Sequence, residues 1–378
     1  MIARAVPCQS TLFDEEIMYN ITKFNTKYGE YFVYENDHIK SIRSKNYNYD
    51  FNKINGLFMR WGKSLDDDPQ FSPFGPEILD LENSTICGGT LGNNPCRFCY
   101  KANTPTGQNM SFENFKIILD KINKYKTLTQ IAIGSDATLK SNPDIWKMFE
   151  YCRESGIIPN ITVANIDDTV ADQLAKLAGA CAVSRYSNKN HCYDSVKKLT
   201  DRGMKQINIH QILSQEALDQ ALETINDIGT DPRLDGLNAI VFLSLKQVGR
   251  GSNHSRLSQE QFKMVVDKAM NKNINFGFDS CSQQKFINSI RNHKNYDYLE
   301  QNSEPCESLL MSIYIDVNAM VFPCSFTENI NFDNHDWTQG INMLEIDDFL
   351  NDVWYNEKVI KFREDNINNN RKCIAFDI

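Results

Sequence analysis

Between residues 78 and 278 the chain repeats one pattern six times. A short apolar run leads into a loop, and the loop into a segment with apolar residues at three- and four-residue steps. The runs at 78–82, 129–133, 157–163, 180–184, 206–213 and 237–245 read as strands. The segments at 111–125, 143–155, 169–177, 195–202, 215–228 and 258–270 read as helices, and 274–278 reads as a last strand. No other feature constrains the fold as strongly, because strands separated by helices pair in parallel through right-handed crossovers. The expectation is an α/β fold, and a barrel closed only in part would leave a lateral mouth for a large substrate. The first of these helices shows the local logic. Ser111 can cap it, and Phe112, Phe115, Ile118, Leu119 and Ile122 form one apolar face that reads as core.

The flanks read differently. Residues 1–77 form an N-terminal extension in which Tyr31 to Tyr34 and His38 to Ile42 flank a turn signal, Glu35-Asn36-Asp37. The aromatics around Trp61 would cover the bottom of a barrel. Pro69, Pro73 and Pro76 break regular structure before the first core strand. Residues 279–378 read as a small C-terminal α+β module. Its centre is a hairpin, Met311 to Cys324, with an Asn-containing turn, and the tract Asn366 to Asn370 reads as a compositionally biased loop.

A hydrophobic content of 41% in 378 residues supports a packed core. No run reaches the length of a membrane span, and the first 20 residues lack the apolar heart of a signal peptide. The expected location is therefore cytoplasmic and reducing. There the 11 cysteines read as metal ligands or free thiols, not as a disulfide framework. A formal charge of -9 argues against nucleic acid as a partner.

Three of those cysteines, Cys87, Cys96 and Cys99, fall on the loop between the first strand and the first helix, where parallel α/β folds place their chemistry. A disulfide would leave one sulfur over. Three thiolates can hold three corners of an iron–sulfur cluster and leave the fourth iron open, or supply three of four zinc ligands.

The loop resembles the cluster loop of radical SAM enzymes, whose pattern is C-x-x-x-C-x-x-C with an aromatic before the third cysteine. Phe98 holds that place, while eight residues rather than three separate Cys87 from Cys96. The insert is rich in Gly and Asn and can bulge without disturbing either end. The family's fold is a partial (β/α)6 barrel, in agreement with the six units. The resemblance implies a 4Fe-4S cluster on Cys87, Cys96 and Cys99, with S-adenosylmethionine chelated to the fourth iron. Reduction would yield a 5′-deoxyadenosyl radical that takes a substrate hydrogen. By the same match Phe98 lies on the adenine side. Gly134, Ser135 and Asp136 stand where relatives read Gly-Gly-Glu-Pro and meet the methionyl ammonium.

Ser184 and Arg185 end the fourth strand, where relatives bind the cofactor. Asn208 and His210 alternate on the fifth and would face the barrel interior, and Lys246 and Arg250 flank a Gly-containing turn after the sixth. Of these, Ser184 and Asn208 are the leading cofactor candidates, with His210 and Lys246 behind them. Cys281, Cys306, Cys324 and Cys373 flank or end the late hairpin. With Phe322-Pro323-Cys324 they resemble a reduced SPASM or twitch module holding a second 4Fe-4S cluster. Cys152 and Cys181 read as core, and Cys8 and Cys192 stand without company. The implied activity is radical modification of a peptide or a small molecule, with an electron donor such as flavodoxin or ferredoxin. Modification of a nucleotide or nucleic acid, and a non-catalytic zinc protein, are the alternatives.

Overall fold

The computed structural model describes residues 18–91 and 94–376. Cys8 lies outside the described residues. The chain opens with five strands, β1 Asn20–Thr26, β2 Gly29–Glu35, β3 Ile39–Arg43, β4 Asn48–Asn52 and β5 Phe58–Trp61, paired antiparallel in chain order. The hairpin expected around Asn36 is β2–β3, where Asn36 Oδ1 accepts from the His38 and Ile39 amides. The strands on either side of it were not legible as a sheet. Tyr31, Tyr49 and Phe51, on alternating positions, build a separate small core with Phe74.

The main sheet begins with β6 Ile78–Glu82. It continues through α1 Phe112–Asn123, β7 Gln130–Gly134, α2 Ile145–Glu154, β8 Ile158–Val163, α3 Asp168–Leu177, β9 Ala180–Ser184 and α4 Lys189–Asp201. Then follow β10 Ile207–Leu213, α5 Leu218–Asp227, β11 Ala239–Ser244, α6 Gln259–Asn271 and β12 Phe276–Phe278. Neighbouring strands from β6 to β12 pair in parallel and in order. All six expected units are present. Helix α4 starts about two turns earlier than its apolar spacing suggested, because Asn188 caps it by accepting from the Asn190 amide.

Helices α7 Gln283–Ile290 and α8 Tyr296–Gln301 follow, then β13 Ser312–Ile315, β14 Met320–Phe322, β15 Ile330–Phe332, β16 His335–Trp337 and β17 Ile341–Asn342. A π-helical turn, Leu350–Trp354, and α9 Glu357–Asn368 close the described chain. The expected hairpin is β13–β14. Its first strand also pairs in parallel with β6, Ser312 opposite Ile78 through Ile315 opposite Leu81. The main sheet therefore has ten strands in the order β12-β11-β10-β9-β8-β7-β6-β13-β14-β17, with its two ends unpaired. This is a partial barrel, open on one side. The Asn tract was expected as a loop. Its first three residues instead finish α9, with Asn366 buried, and the chain turns away only at Asn370 and Arg371, both at positive φ.

One face of each barrel strand packs against the helices through residues such as Leu79, Ile131, Val183 and Ile209, which join the main core with Phe115, Ile118, Leu119 and Ile122 of α1. The opposite face is polar and includes Asp80, Glu82, Thr162, Ser184 and His210. The N-terminal sheet docks where the barrel strands begin. Lys40 donates to the Leu128 carbonyl at 2.9 Å, Tyr31 to the Tyr125 carbonyl at 2.7 Å, and Arg60 grips Glu77 with two bonds of 2.6 Å. The cysteine loop is at the other end, beyond Glu82. Among the described residues no helix is long and apolar enough to cross a membrane.

Candidate functional site

The cysteine loop leaves β6 through Asn83, whose amide donates to the Gly134 carbonyl at 2.9 Å and so ties the ends of β6 and β7 together. The Cys87 amide is held by the Thr104 carbonyl at 2.7 Å, on the returning arm of the loop. Gly89 has φ +73°, and a Cβ there would lie 2.2 Å from the Asn94 carbonyl oxygen, so the insert is folded tightly on itself. Cys96 senses both of the other thiols on the loop. Burial, opposed by a hydrogen bond from Tyr186, and then Cys87 and Cys99 push the Cys96 thiol up to about 11. Three thiols that repel when ionised are a set that binding to cationic iron would relieve.

The loop is clasped from outside by the turn after β11. Arg250 donates from Nε to the Cys96 carbonyl at 2.8 Å, from Nη2 to the Asn103 carbonyl at 2.9 Å, and from its amide to the Cys99 carbonyl at 3.0 Å. A Cβ at Gly249, where φ is +55°, would sit 2.1 Å from the Tyr100 carbonyl oxygen. Phe98 is half-buried, its ring 5.1 Å from that of Tyr186 and 6.3 Å from that of His254. The Tyr186 hydroxyl engages both the Cys96 thiol and Ser184, so Ser184, at the end of β9, belongs to the same neighbourhood as the cysteine loop. Sequence reasoning did not find Tyr186. An aromatic two residues past a strand end was its one signal.

Asp136, the expected partner of the methionyl ammonium, is engaged by its own loop in this structure. Its Oδ2 accepts from the Thr138 amide at 3.0 Å and hydroxyl at 2.6 Å. Its Oδ1 accepts from the Lys140 and Ser141 amides at 3.1 and 3.0 Å and from the Ser141 hydroxyl at 2.5 Å. Burial opposes its charge, but the Ser141 and Thr138 donors outweigh burial and hold the carboxyl below the usual range. The carboxylate is thus filled by its own loop, which it folds, and the structure does not turn it toward the cysteines. Gly134 and Ser135 remain at the end of β7. Asn208 also stands apart. It lies two residues into β10 and accepts from Asn238, just before β11, at 2.9 Å. That is the entrance end of these strands, opposite the cysteine loop. His210, farther along β10, is half-buried on the polar face with Nδ1 3.4 Å from Thr162 Oγ1, and desolvation lowers it to about 4.

The late cysteines come together from across a long stretch of chain. Cys281 senses Cys306 and Cys324, Cys324 senses Cys306 and Cys373, and Cys373 senses Cys306. Burial first, then the neighbouring thiols, raise Cys281 and Cys373 and push Cys324 to about 11. Reciprocal bonds between Cys306 and Arg371, 3.1 and 3.0 Å, bring the C-terminal segment back and place Cys373 within reach. Buried Lys246 pairs with Asp279 and faces the same thiols. The chemistry of both sets is thiolate only, which suits iron–sulfur ligation. Cys152, Cys181 and Cys192 are buried in the core, as free thiols. Among the described residues, no three His, Cys, Asp or Glu side chains converge closely enough to hold a single metal ion. A four-iron cluster takes each thiolate on a different iron, so it asks for separated sulfurs rather than convergent ones.

The two sets touch through aromatics. Tyr100, next to Cys99, has its ring 4.4 Å from that of Phe326 and engages Ser325, both just past Cys324. Beside this contact, Lys101 bridges Glu82 at 3.2 Å, the Tyr314 hydroxyl at 2.9 Å, and Glu328. Burial, against Lys101, raises Glu82 to about 7, and burial alone raises Asp80 to about 6.

Comparison with solved structures returns this architecture. Streptococcus suis SuiB bound to the precursor peptide SuiA matches at a TM-score of 0.64 and 16% identity, over 87% of this chain and 90% of that one. SuiB bound to S-adenosylmethionine matches at 0.58 and 17% identity, over 77% of this chain and 68% of that one. The chain shares the fold of these structures, a partial parallel barrel with added strands at either end of the chain. No protein-family model and no curated protein matches the sequence. The likeness to SuiB is therefore carried by backbone architecture over most of the length of both chains.

Proposed function

We propose that this protein is a radical SAM enzyme that modifies a peptide. The observation that carries the reading is the loop after β6. Three cysteines stand on one loop at the strand-exit end of an open parallel barrel, in a fold shared with a protein solved with S-adenosylmethionine and with a precursor peptide. Cys87, Cys96 and Cys99 would hold a 4Fe-4S cluster, which with S-adenosylmethionine supplies a 5′-deoxyadenosyl radical for hydrogen abstraction.

The chain's own residues have separate tasks. Thr104 holds the Cys87 arm of the cysteine loop through its carbonyl. Phe98, Gly134, Ser135 and Ser184 would meet the cofactor, and Phe98, Tyr186 and His254 form an aromatic cluster beside the loop. Cys281, Cys306, Cys324 and Cys373 would hold a second cluster, with Tyr100 and Phe326 packed between the two sets. The substrate would enter by the open side of the barrel, and a flavodoxin or ferredoxin would deliver electrons.

The test is anaerobic purification and iron–sulfur reconstitution, followed by reduction with S-adenosylmethionine present. The expected result is a brown protein that releases 5′-deoxyadenosine, and loss of that product in the Cys87→Ala/Cys96→Ala/Cys99→Ala variant. A colourless, zinc-loaded protein with no affinity for S-adenosylmethionine, or unchanged cleavage by the triple variant, would overturn the reading.

A further inference from the structure

We infer that Arg250 is a positioning residue that fixes the Cys96–Cys99 half of the cluster loop, a task that a short Cys-x-x-x-Cys turn would perform by itself. The inference rests on the proposed role of that loop and adds a residue to it. With eight residues between Cys87 and Cys96, the covalent chain alone does not set where Cys96 stands relative to Cys87. Among the described residues of the insert, the Asn94 amide donates to the Gly88 carbonyl at 2.8 Å and Asn165 Nδ2 donates to the Thr90 carbonyl at 3.0 Å, and neither bond reaches the Cys96–Cys99 half. Cys99 makes a local turn with Cys96, amide to carbonyl at 3.3 Å, and that turn needs an anchor outside itself.

Arg250 is that anchor. One residue reaches carbonyls at three points of the loop, residues 96, 99 and 103, through Nε, its own amide and Nη2. The flanking glycines allow it to come so close. A Cβ at Gly249 would meet the Tyr100 carbonyl oxygen at 2.1 Å, and one at Gly251 would meet the Lys246 carbonyl oxygen at 2.6 Å. The planar guanidinium donates in two directions at once, which an ammonium on a flexible stem does not reproduce. The same turn begins at Lys246, whose side chain faces the other cysteine set. The β11–α6 connection therefore supports both thiol groups from one strand end.

The experiment uses the full-length protein without metal and after anaerobic reconstitution, as wild type, Arg250→Gln and Arg250→Lys. In the metal-free protein, hydrogen exchange of the Cys99 and Ala102 amides is expected to speed up by at least about tenfold in Arg250→Gln, with β9, β10 and β11 unchanged. After reconstitution, Arg250→Gln should hold about four fewer irons than wild type, the content of one cluster. Arg250→Lys should fall between the two in exchange and show an altered electron paramagnetic resonance signal. Should Arg250→Gln fail to fold, Arg250→Lys carries both readouts. Unchanged exchange at residues 96–103 in the substituted protein would overturn the inference, even if wild type binds iron normally. A wild type that takes up no iron, yet shows the expected exchange difference, would overturn the proposed function and leave the anchoring role standing.

Discussion

At the scale of single residues, the sequence showed where chemistry collects but not always which atoms are free to perform it. Asp136 is the clearest case. Its place after the second barrel strand matched a cofactor position, yet Thr138 and Ser141 downstream of it already spelled the alternative, an acidic side chain that folds its own turn. Replacing it with Asn keeps the shape but sets an amide nitrogen against a cluster of donors. Asp136→Asn should lower stability by about 1.5–3 kcal/mol, the value of a hydrogen bond to a charged group, read from the urea midpoint. An unmoved midpoint would return the carboxylate to ligand binding. Glu82 and His210 make an opposed pair on the polar face of the barrel. Glu82 is raised to about 7, so its contribution is fully present below about pH 4 and is lost as pH rises through 7. His210 is lowered to about 4, so its contribution is present above about pH 6.5 and is lost as pH falls toward 4. Their slopes partly cancel in the wild type. Single variants separate them. In metal-free protein, Glu82→Gln should gain stability over wild type as pH rises from 5 to 8, on the order of 3 kcal/mol at about 1.4 kcal/mol per pKa unit. His210→Gln should gain in the opposite direction. Parallel stability curves for wild type and both variants would show that neither group changes its proton affinity on folding.

At the scale of elements, the barrel was legible because each helix face and each buried strand repeats its own period. The extension was less legible, for a physical reason. Its turns carry signals, Asn36-Asp37 and Asn55-Gly56, but its strands lack a clean apolar alternation, and β5 is held by charges rather than by an apolar stripe. Arg60 on β5 forms two bonds of 2.6 Å with buried Glu77, which also accepts from Tyr47, and its guanidinium lies 3.6 Å from Glu307 and 4.0 Å from Glu304. No periodicity encodes a contact between residues 60, 77 and 307. The pair joins the N-terminal sheet to the entrance of β6 and to the segment carrying Cys306. Arg60→Ala would leave Glu77 buried and unpaired, which is expected to destabilise the chain by about 3–5 kcal/mol. Replacing Arg60 and Glu77 together with apolar residues should recover much of that loss. Thermal unfolding of the single and double variants checks both statements, and a double variant as unstable as the single one would contradict the account.

At the scale of the whole molecule, the cysteines divide by how far the chain must travel to unite them. Cys87, Cys96 and Cys99 were recognisable together because one loop holds them. Cys281, Cys306, Cys324 and Cys373 meet only because β13 pairs with β6 and because α9 returns the chain to Cys306. Of this second set, Cys324 was legible from the hairpin that ends on it, while Cys373 had only its place after the Asn tract to argue from. Extension of α9 into that tract, to Asn368, and the turn at Asn370 and Arg371 carry Cys373 back to the group. Four thiols gathered with buried Lys246 have the composition of a closed cluster site, with a protein ligand for each iron, where the first loop leaves one iron open. The Cys87→Ala/Cys96→Ala/Cys99→Ala variant should therefore still carry about four irons per chain after anaerobic reconstitution. Adding Cys306→Ala and Cys324→Ala should remove them. Because Cys324 stands one contact from the first loop through Phe326 and Tyr100, Tyr100→Leu should leave the iron content unchanged while slowing redistribution of electrons between the two clusters, followed by freeze-quench electron paramagnetic resonance. A folded triple variant that holds no iron would leave the second set as buried thiols and remove the basis for any exchange between two centres.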